Sequence, residues 1–521
     1  FGVNEIITTL LTNYIVFGLT IYLINGVWKD PASLNFPAAA YVSESVYLPI
    51  IVGKLSSGFL ICIIFTLLAF YIKDKSVFGY EMRIAGGSEL TAIYAGISAR
   101  QKAFLAMLIG GGFAGLHLAK KLKGKRFQVV MIDRNNYHTF QPLLYQVATA
   151  GLEPDSIAYP LRKIFKSHEN FYFRMAKVSR VDTESKNVIT EIGEISYDYL
   201  VLATGTTTNF FGMNDMAENA MSMKSISEAL DLRSYILQHF EKALLTSSKE
   251  EQEALMSIAI VGGGPTGVEL AGAFAELKKH ILPADYPDLD IRRMNIHLIE
   301  MADELLPPMS ARASKKAFQY LEELGVTIWL KKAVESYDGM TVKFKEGKVL
   351  KAKTLIWAAG VKGNLVQGVS KDVIKKGRYE VDRQNRIVGY ENVFAIGDLS
   401  LMQTDDFPEG LPMLAPVATQ QGEFLAKNLE FIENNKALKD FKYNDRGVMA
   451  TVGRNRAVVD LNNIKFQGLF AWYVWMFVHL ISLVGFRNKI VTFFNWSYNY
   501  LNFDRGIRLI IRKFEKKKQT V

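Results

Sequence analysis

The chain has 521 residues, 49% of them hydrophobic and 22% charged, with a formal net charge of +10. At roughly 150 residues per domain, that length can bury several cores. A single cysteine, Cys62, excludes an internal disulfide, a cysteine-based zinc cluster and any redox chemistry that needs a cysteine pair, and no metal site is expected.

Two apolar stretches open the chain. Residues 6–26 and 55–72 carry no charge, and about 20 apolar residues span a bilayer, so both are predicted transmembrane helices. Lys73, Lys75, Arg83, Arg100 and Lys102 follow the second stretch. This basic bias places what comes next on the cytoplasmic side of the cell's inner membrane. From about 104 to 440, short β-rich runs such as 127–132, 199–203, 258–261, 296–299 and 354–358 alternate with helical patterns. That rhythm predicts an α/β architecture with largely parallel sheets.

A glycine motif, Gly110-Gly111-Gly112-Phe113-Ala114-Gly115, follows the apolar run 103–109 and opens a helical pattern. Gly110 permits the tight turn, Gly112 lets a pyrophosphate approach the backbone, and Gly115 lets helix pack on strand. Asp133 ends the next strand, 18 residues after Gly115, where a carboxylate accepts a ribose hydroxyl. The motif returns as Gly262-Gly263-Gly264-Pro265-Thr266-Gly267 after the strand 257–261. Its acid, Glu300, lies 33 residues past Gly267, because a polar loop over 280–293 is inserted after the helix. An acid there accepts ribose hydroxyls and repels a 2′-phosphate, so NADH is expected over NADPH. The sequence thus predicts two Rossmann-like dinucleotide folds, one for a resident and one for an exchangeable nucleotide. Three further strands end in Ala203-Thr204-Gly205, Ala358-Ala359-Gly360 and Ala395-Ile396-Gly397-Asp398.

These segments, with YHTFQPLLYQVATAGLEP at 137–154, APVATQQG at 415–422 and TVGRNRAVVDL at 451–461, make residues 107–515 resemble a type II NADH:quinone oxidoreductase. The resemblance implies that the first motif holds FAD, with Asp398 on its ribityl chain, and that the second binds NADH. Thr204, Gly205, Gly360, Gly397 and Ala418 are counted among the cofactor-binding residues. Glu269, two residues past Gly267, is expected to point toward the nicotinamide–flavin region. The family's Ala-Gln-x-Ala-x-Gln pattern reads Ala415-Pro416-Val417-Ala418-Thr419-Gln420 here. Pro416 replaces the first glutamine, and Gln420 is the candidate beside the quinone. Cysteine-dependent disulfide and sulfide oxidoreductases are disfavoured, because Cys62 lies outside the folds. A reductase of a ferredoxin-like acceptor is the alternative, but it leaves the aromatic tail without a purpose.

The first hundred residues resemble something else. NEIITTLLTNYI at 4–15, GVWKDPAS at 26–33, FGYEMRIAGGSELTAIYAGISARQ at 78–101 and AMLIGG at 106–111 are similar to part of a sugar- or nucleoside-type ABC transporter permease. Two spans are only a fragment of such a permease, so transport is not expected, and the two patterns meet inside 105–115 as in a fusion. The seam makes 103–109, which is poor in β-branched residues, the weakest predicted strand.

At the other end, residues 468–486 carry no formal charge and are long enough to span on length alone. Yet His479 interrupts them, Trp472, Tyr473, Trp475, Trp496, Tyr498 and Tyr500 are scattered rather than gathered at two ends, and Arg487, Lys489, Arg505 and Arg508 follow. The expectation is an amphipathic helical region lying in the membrane plane, its basic residues on anionic lipid rather than nucleic acid. The expected organisation is a permease-like segment (1–103), an FAD domain (104–235 with 365–440), an NADH domain (236–364) and an anchoring region (441–521). The partners are quinone and lipid, and a homodimer is allowed. There is no chain of intramembrane carboxylates, so no ion pumping is expected.

Overall fold

The computed structural model describes residues 104–462 and 464–502 throughout, residues 16–23, 50–52, 55–56 and scattered positions of 63–75 before them, and 506, 508–510 and 513–514 after them. The chain forms two compact units, 1–102 and 103–521.

In the first unit, residues 16–23 are helical, and Ile50–Val52 pairs antiparallel with Leu55–Ser56. The second apolar stretch therefore opens as a strand rather than a helix. The β-branched run Ile50-Ile51-Val52 favours extended chain there. No helix among the described residues is long and apolar enough to cross a membrane. Most of the two expected spans, and all of the polar block 78–101, lie outside the described residues.

The second unit contains both expected folds. Five parallel strands stand in the order Val393–Ala395, Tyr199–Leu202, Phe104–Ile109, Phe127–Asp133 and Phe171–Met175. Phe104–Ile109, the strand expected to be weakest, is central. Its neighbours supply the β-branched residues, and Met107 and Leu108 are fully buried, so tertiary pairing overrides its own modest strand preference. The second sheet has four parallel strands, Thr327–Trp329, Ile296–Ile299, Ile258–Val261 and Thr354–Trp357. The stretch 280–293, expected to be a loop, instead holds the short helix Leu282–Asp285 and a 3-10 turn at Ile291–Arg293, with irregular chain between them.

The chain passes between the folds on a two-stranded link, Thr206–Thr208 with Val361–Gly363. The expected boundary at 235/236 cuts through the helix Ile226–Ala243, which packs Leu232, Ile236 and Phe240 into the same core as Ile258 and Phe274. Ser225 caps that helix, accepting from the Glu228 N–H at 3.2 Å. Met221 already bridges to Ile356 of the second sheet, so the second fold begins near there.

After the long helix Ala415–Glu433, three antiparallel strands (Val448–Thr451, Ala457–Leu461, Ile464–Gln467) lead into helices Leu469–Ser482 and Phe486–Asn502. The expected single apolar run is broken at Gly485, whose φ of +88° and position 2.1 Å (as a Cβ) from the Tyr159 ring require glycine. The first of these helices has 14 residues, about 21 Å at 1.5 Å per residue, short of a ~30 Å hydrocarbon core.

Candidate active site

Protein packing demands most of the motif glycines, and two of them it does not. Gly110 has φ +112°, and a Cβ there would lie 2.3 Å from the Ala203 carbonyl oxygen; one on Gly115 would lie 2.0 Å from Gly110 O. Gly262 and Gly267 repeat the pattern, at 2.6 Å from the Ala358 carbonyl and 1.9 Å from Gly262 O. Gly112 and Gly264 have ordinary extended backbone, φ −70° and −71°, and a Cβ on either would meet nothing within 4 Å. Each is the N-cap of a helix, facing open space where a pyrophosphate can meet unpaired N–H groups and the positive end of the helix dipole. Both turns fit a dinucleotide.

The two acids close these turns in the same way. Asp133 accepts the Gly111 N–H at 2.7 Å on one oxygen and the Asn135 N–H at 2.7 Å on the other. Burial raises its pKa, against these hydrogen bonds. Glu300 accepts from Gly263 N–H at 2.5 Å and Ala302 N–H at 2.8 Å. Each carboxylate oxygen keeps a lone pair that can take a ribose hydroxyl. A residue not singled out from the sequence completes the first turn. The Nδ1–H of His138 donates to the Gly111 carbonyl at 2.9 Å. Burial holds the ring pKa down at about 4, so it stays neutral.

Asp398 stands at the turn Gly397–Leu399, which Gly397 opens with φ +72° and on which Ala418 packs. Burial raises its carboxyl pKa, opposed by Lys224 and Arg378. Lys224, also missed in the sequence, comes from the segment just before the helix Ile226–Ala243 and is near enough for its charge to favour the ionised Asp398. The buried Gln421 accepts the Gly397 N–H at 2.7 Å and so fixes the turn. Thr204 ties the folds together, its hydroxyl donating to Asn364 O at 2.6 Å, and Gly205 has φ +66°. Gly360 is accounted for by packing, since a Cβ there would press on the Phe211 ring at 2.8 Å.

The two catalytic candidates sit in different surroundings. Glu269, on the helix Pro265–His280, is buried and raised to about 8 by that burial, with the Thr451 N–H at 3.5 Å as its weak backbone partner. It lines a cavity of about 130 Å³ whose walls include Tyr145, Thr149, Trp472, Trp475 and Trp496. The cavity lies between the second fold and the two C-terminal helices. Gln420 does not line it. Its amide donates to Asn444 O at 2.9 Å and accepts the Asn444 N–H at 3.0 Å, which ties the helix Ala415–Glu433 to the following segment.

The chain resembles known proteins along nearly its whole length. Residues 105–422 match the pyridine nucleotide-disulphide oxidoreductase family, and 446–505 match the NDH2 C-terminal domain. Residues 1–120 match the permease component of the branched-chain amino acid transport system, a match that overlaps the first at 105–120, around the expected seam. A type II NADH:quinone oxidoreductase of Mycobacterium tuberculosis is 36% identical over 419 residues, 77% of this chain and 89% of that protein. One from Staphylococcus haemolyticus is 31% identical, covering 68% and 88%. Among solved structures, NDH2 from Plasmodium falciparum in complex with NADH aligns with a TM-score of 0.73 at 23% identity, over 79% of this chain and all of that one. The sulfide:quinone oxidoreductase of Aquifex aeolicus aligns at 0.59 and 19%. The chain belongs to the type II NADH:quinone oxidoreductases.

Proposed function

We propose that this chain oxidises NADH bound at the second fold and reduces a membrane quinone, with FAD held by the first fold. Bound FAD supplies the two-electron carrier between these substrates. The chain's own residues bind, orient and manage protons. Gly112 and Asp133 seat one nucleotide, Gly264 and Glu300 the other, and Asp398 with Lys224 and Gln421 shapes the space between the folds.

One observation carries the quinone half of this reading. The aromatic cavity beside Glu269 is about 130 Å³, close to the roughly 150 Å³ that admits a benzene ring, and it lies beneath the C-terminal helices. Those helices turn Ala471, Trp475 and Trp496 inward and leave Phe470, Phe477, Phe486, Phe493 and Phe494 exposed. An outward apolar face on short helices suits a surface anchor in the lipid interface, with the folds on the cytoplasmic side. Glu269, neutral at pH 7, holds a proton where a quinone head would need one.

The test replaces Phe470, Phe477, Phe493 and Phe494 by serine. Burying one such side chain contributes roughly 1.5–3 kcal/mol, so partition onto lipid vesicles should fall at least about 100-fold. Turnover with long-chain quinone should fall with it, while NADH oxidation by a soluble artificial acceptor stays within about twofold. A variant that remains bound and fully active on long-chain quinone refutes the reading.

Nucleotide choice should follow Glu300. NADH should be used far better than NADPH, and Glu300→Gln should narrow the gap about tenfold, roughly one charge–charge contact. The glutamine carbonyl can still accept the Gly263 N–H, so the turn should survive. Equal kcat/KM for both nucleotides in the unmodified chain contradicts this assignment.

A further inference from the structure

Arg233 lies on the inward face of the helix Ile226–Ala243 and is 4% exposed. Its Nε and Nη1 are buried and have no hydrogen-bond partner among the described residues. The side chain lines a cavity of about 30 Å³, walled largely by apolar groups such as Ile236, Phe240, Phe274 and Met294. No carboxylate is among the described residues that line it. The second charge at this cavity is also a cation. Arg508, in the C-terminal tail, lines it while paired with Asp285 at 3.0 Å, so that carboxylate is already engaged.

A guanidinium buried among apolar groups without an anion is strongly unfavourable. Burial pushes the Arg233 pKa down, but an arginine starts so high that it stays charged at neutral pH. A water needs roughly 10–15 Å³, so the cavity is large enough for a halide and too small for a nucleotide or a phosphate ester. Water would satisfy the N–H groups and leave the charge uncompensated; an anion does both.

We propose that this cavity binds one small monovalent inorganic anion of about the size of chloride, held by Arg233 beside Arg508. The ion would sit where the segment Ala148–Ala150, the helices Ile226–Ala243 and Pro265–His280 and the Arg508 side chain meet. Thr149 also lines the cavity beside Glu269, so the ion braces a wall the two cavities share.

The probe is chloride itself, exchanged for gluconate at constant ionic strength, on the full chain. The melting temperature should drop by about 3–5 °C in gluconate, the shift a well-occupied single site gives in a chain of this size, and bromide should restore it. Arg233→Met, which keeps the length and removes the charge, should melt alike in both salts. An unmodified chain that melts alike in both, or a variant that keeps the difference, overturns the site. Crystals grown in bromide decide the matter even if the variant does not fold. An anomalous peak beside the Arg233 guanidinium supports the site, and ordered water alone there refutes it.

Discussion

Gly112→Val is expected to give a folded protein without flavin, and Gly264→Val a yellow protein that no longer oxidises NADH. The contrast rests on one geometric fact. A Cβ at either position meets no protein atom within 4 Å, and both residues have φ near −70°, a backbone any residue adopts. The folded state should lose only about 1 kcal/mol, for a poorer helix N-cap. The bound nucleotide loses far more, because the isopropyl group fills the space its pyrophosphate needs. Overpacking of 1–3 kcal/mol or more corresponds to roughly 10- to 100-fold or greater loss of affinity. The measurements are FAD content by absorbance after desalting, and the Kd for NADH by titration. Full FAD occupancy in Gly112→Val would move the flavin elsewhere. A Gly264→Val variant with unchanged NADH affinity would do the same for NADH. By contrast, Gly115→Val should not fold, since its Cβ would lie 2.0 Å from a carbonyl oxygen of the protein itself.

Glu269→Gln should flatten two pH profiles at once. Burial raises the carboxyl from its ordinary 4.5 to about 8. In the unfolded chain it ionises near 4.5; in the folded chain it stays protonated until about 8. The folded state binds the extra proton between those values, so stability falls as pH rises through that window and levels off above it. At about 1.4 kcal/mol per unit, the effect amounts to a few kcal/mol across the window, and Glu269→Gln should remove most of it. Urea midpoints from pH 5 to 9 measure this. The second profile is quinone turnover, which in the unmodified chain should fall as pH rises through about 8 and the carboxyl loses its proton. The glutamine variant should be roughly tenfold or more slower and insensitive in that range, with flavin reduction by NADH nearly intact. Equal pH profiles for the two proteins would leave Glu269 as a buried neutral side chain with no part in proton movement.

Much of the architecture was legible in one dimension. The glycine turns, the acids at 133 and 300, and the β-rich runs are local signals, because turn geometry and strand alternation depend on neighbours in sequence. The insertion at 280–293 was legible from its polarity, but its short helix Leu282–Asp285 was not. The Phe104–Ile109 strand was legible only as the weakest of the predicted strands, since its stability comes from being sandwiched between Tyr199–Leu202 and Phe127–Asp133. The expected boundary at 235/236 falls inside the helix Ile226–Ala243, which carries no mark of which sheet it covers. Only its burial in the same core as Ile258 and Phe274 associates it with the second sheet.

The sequence by itself determined that this protein has two dinucleotide folds, which acid closes each glycine turn, and that its tail is aromatic and apolar without a clean span. Tertiary structure decided what those residues face. It assigned Gly360 to the Phe211 ring, left Gly112 and Gly264 open, tied Gln420 to Asn444, set Gln421 on the Gly397 turn and brought Lys224 toward Asp398. It also buried Glu269 beside Trp475, a residue 206 positions away, and left Arg233 without a carboxylate among the described residues. The reason is physical. Backbone conformation is set by short-range sterics and hydrogen bonding, whereas the proton affinity of a carboxyl and the pairing of a guanidinium depend on which groups exclude water around them, and those groups come from distant parts of the chain.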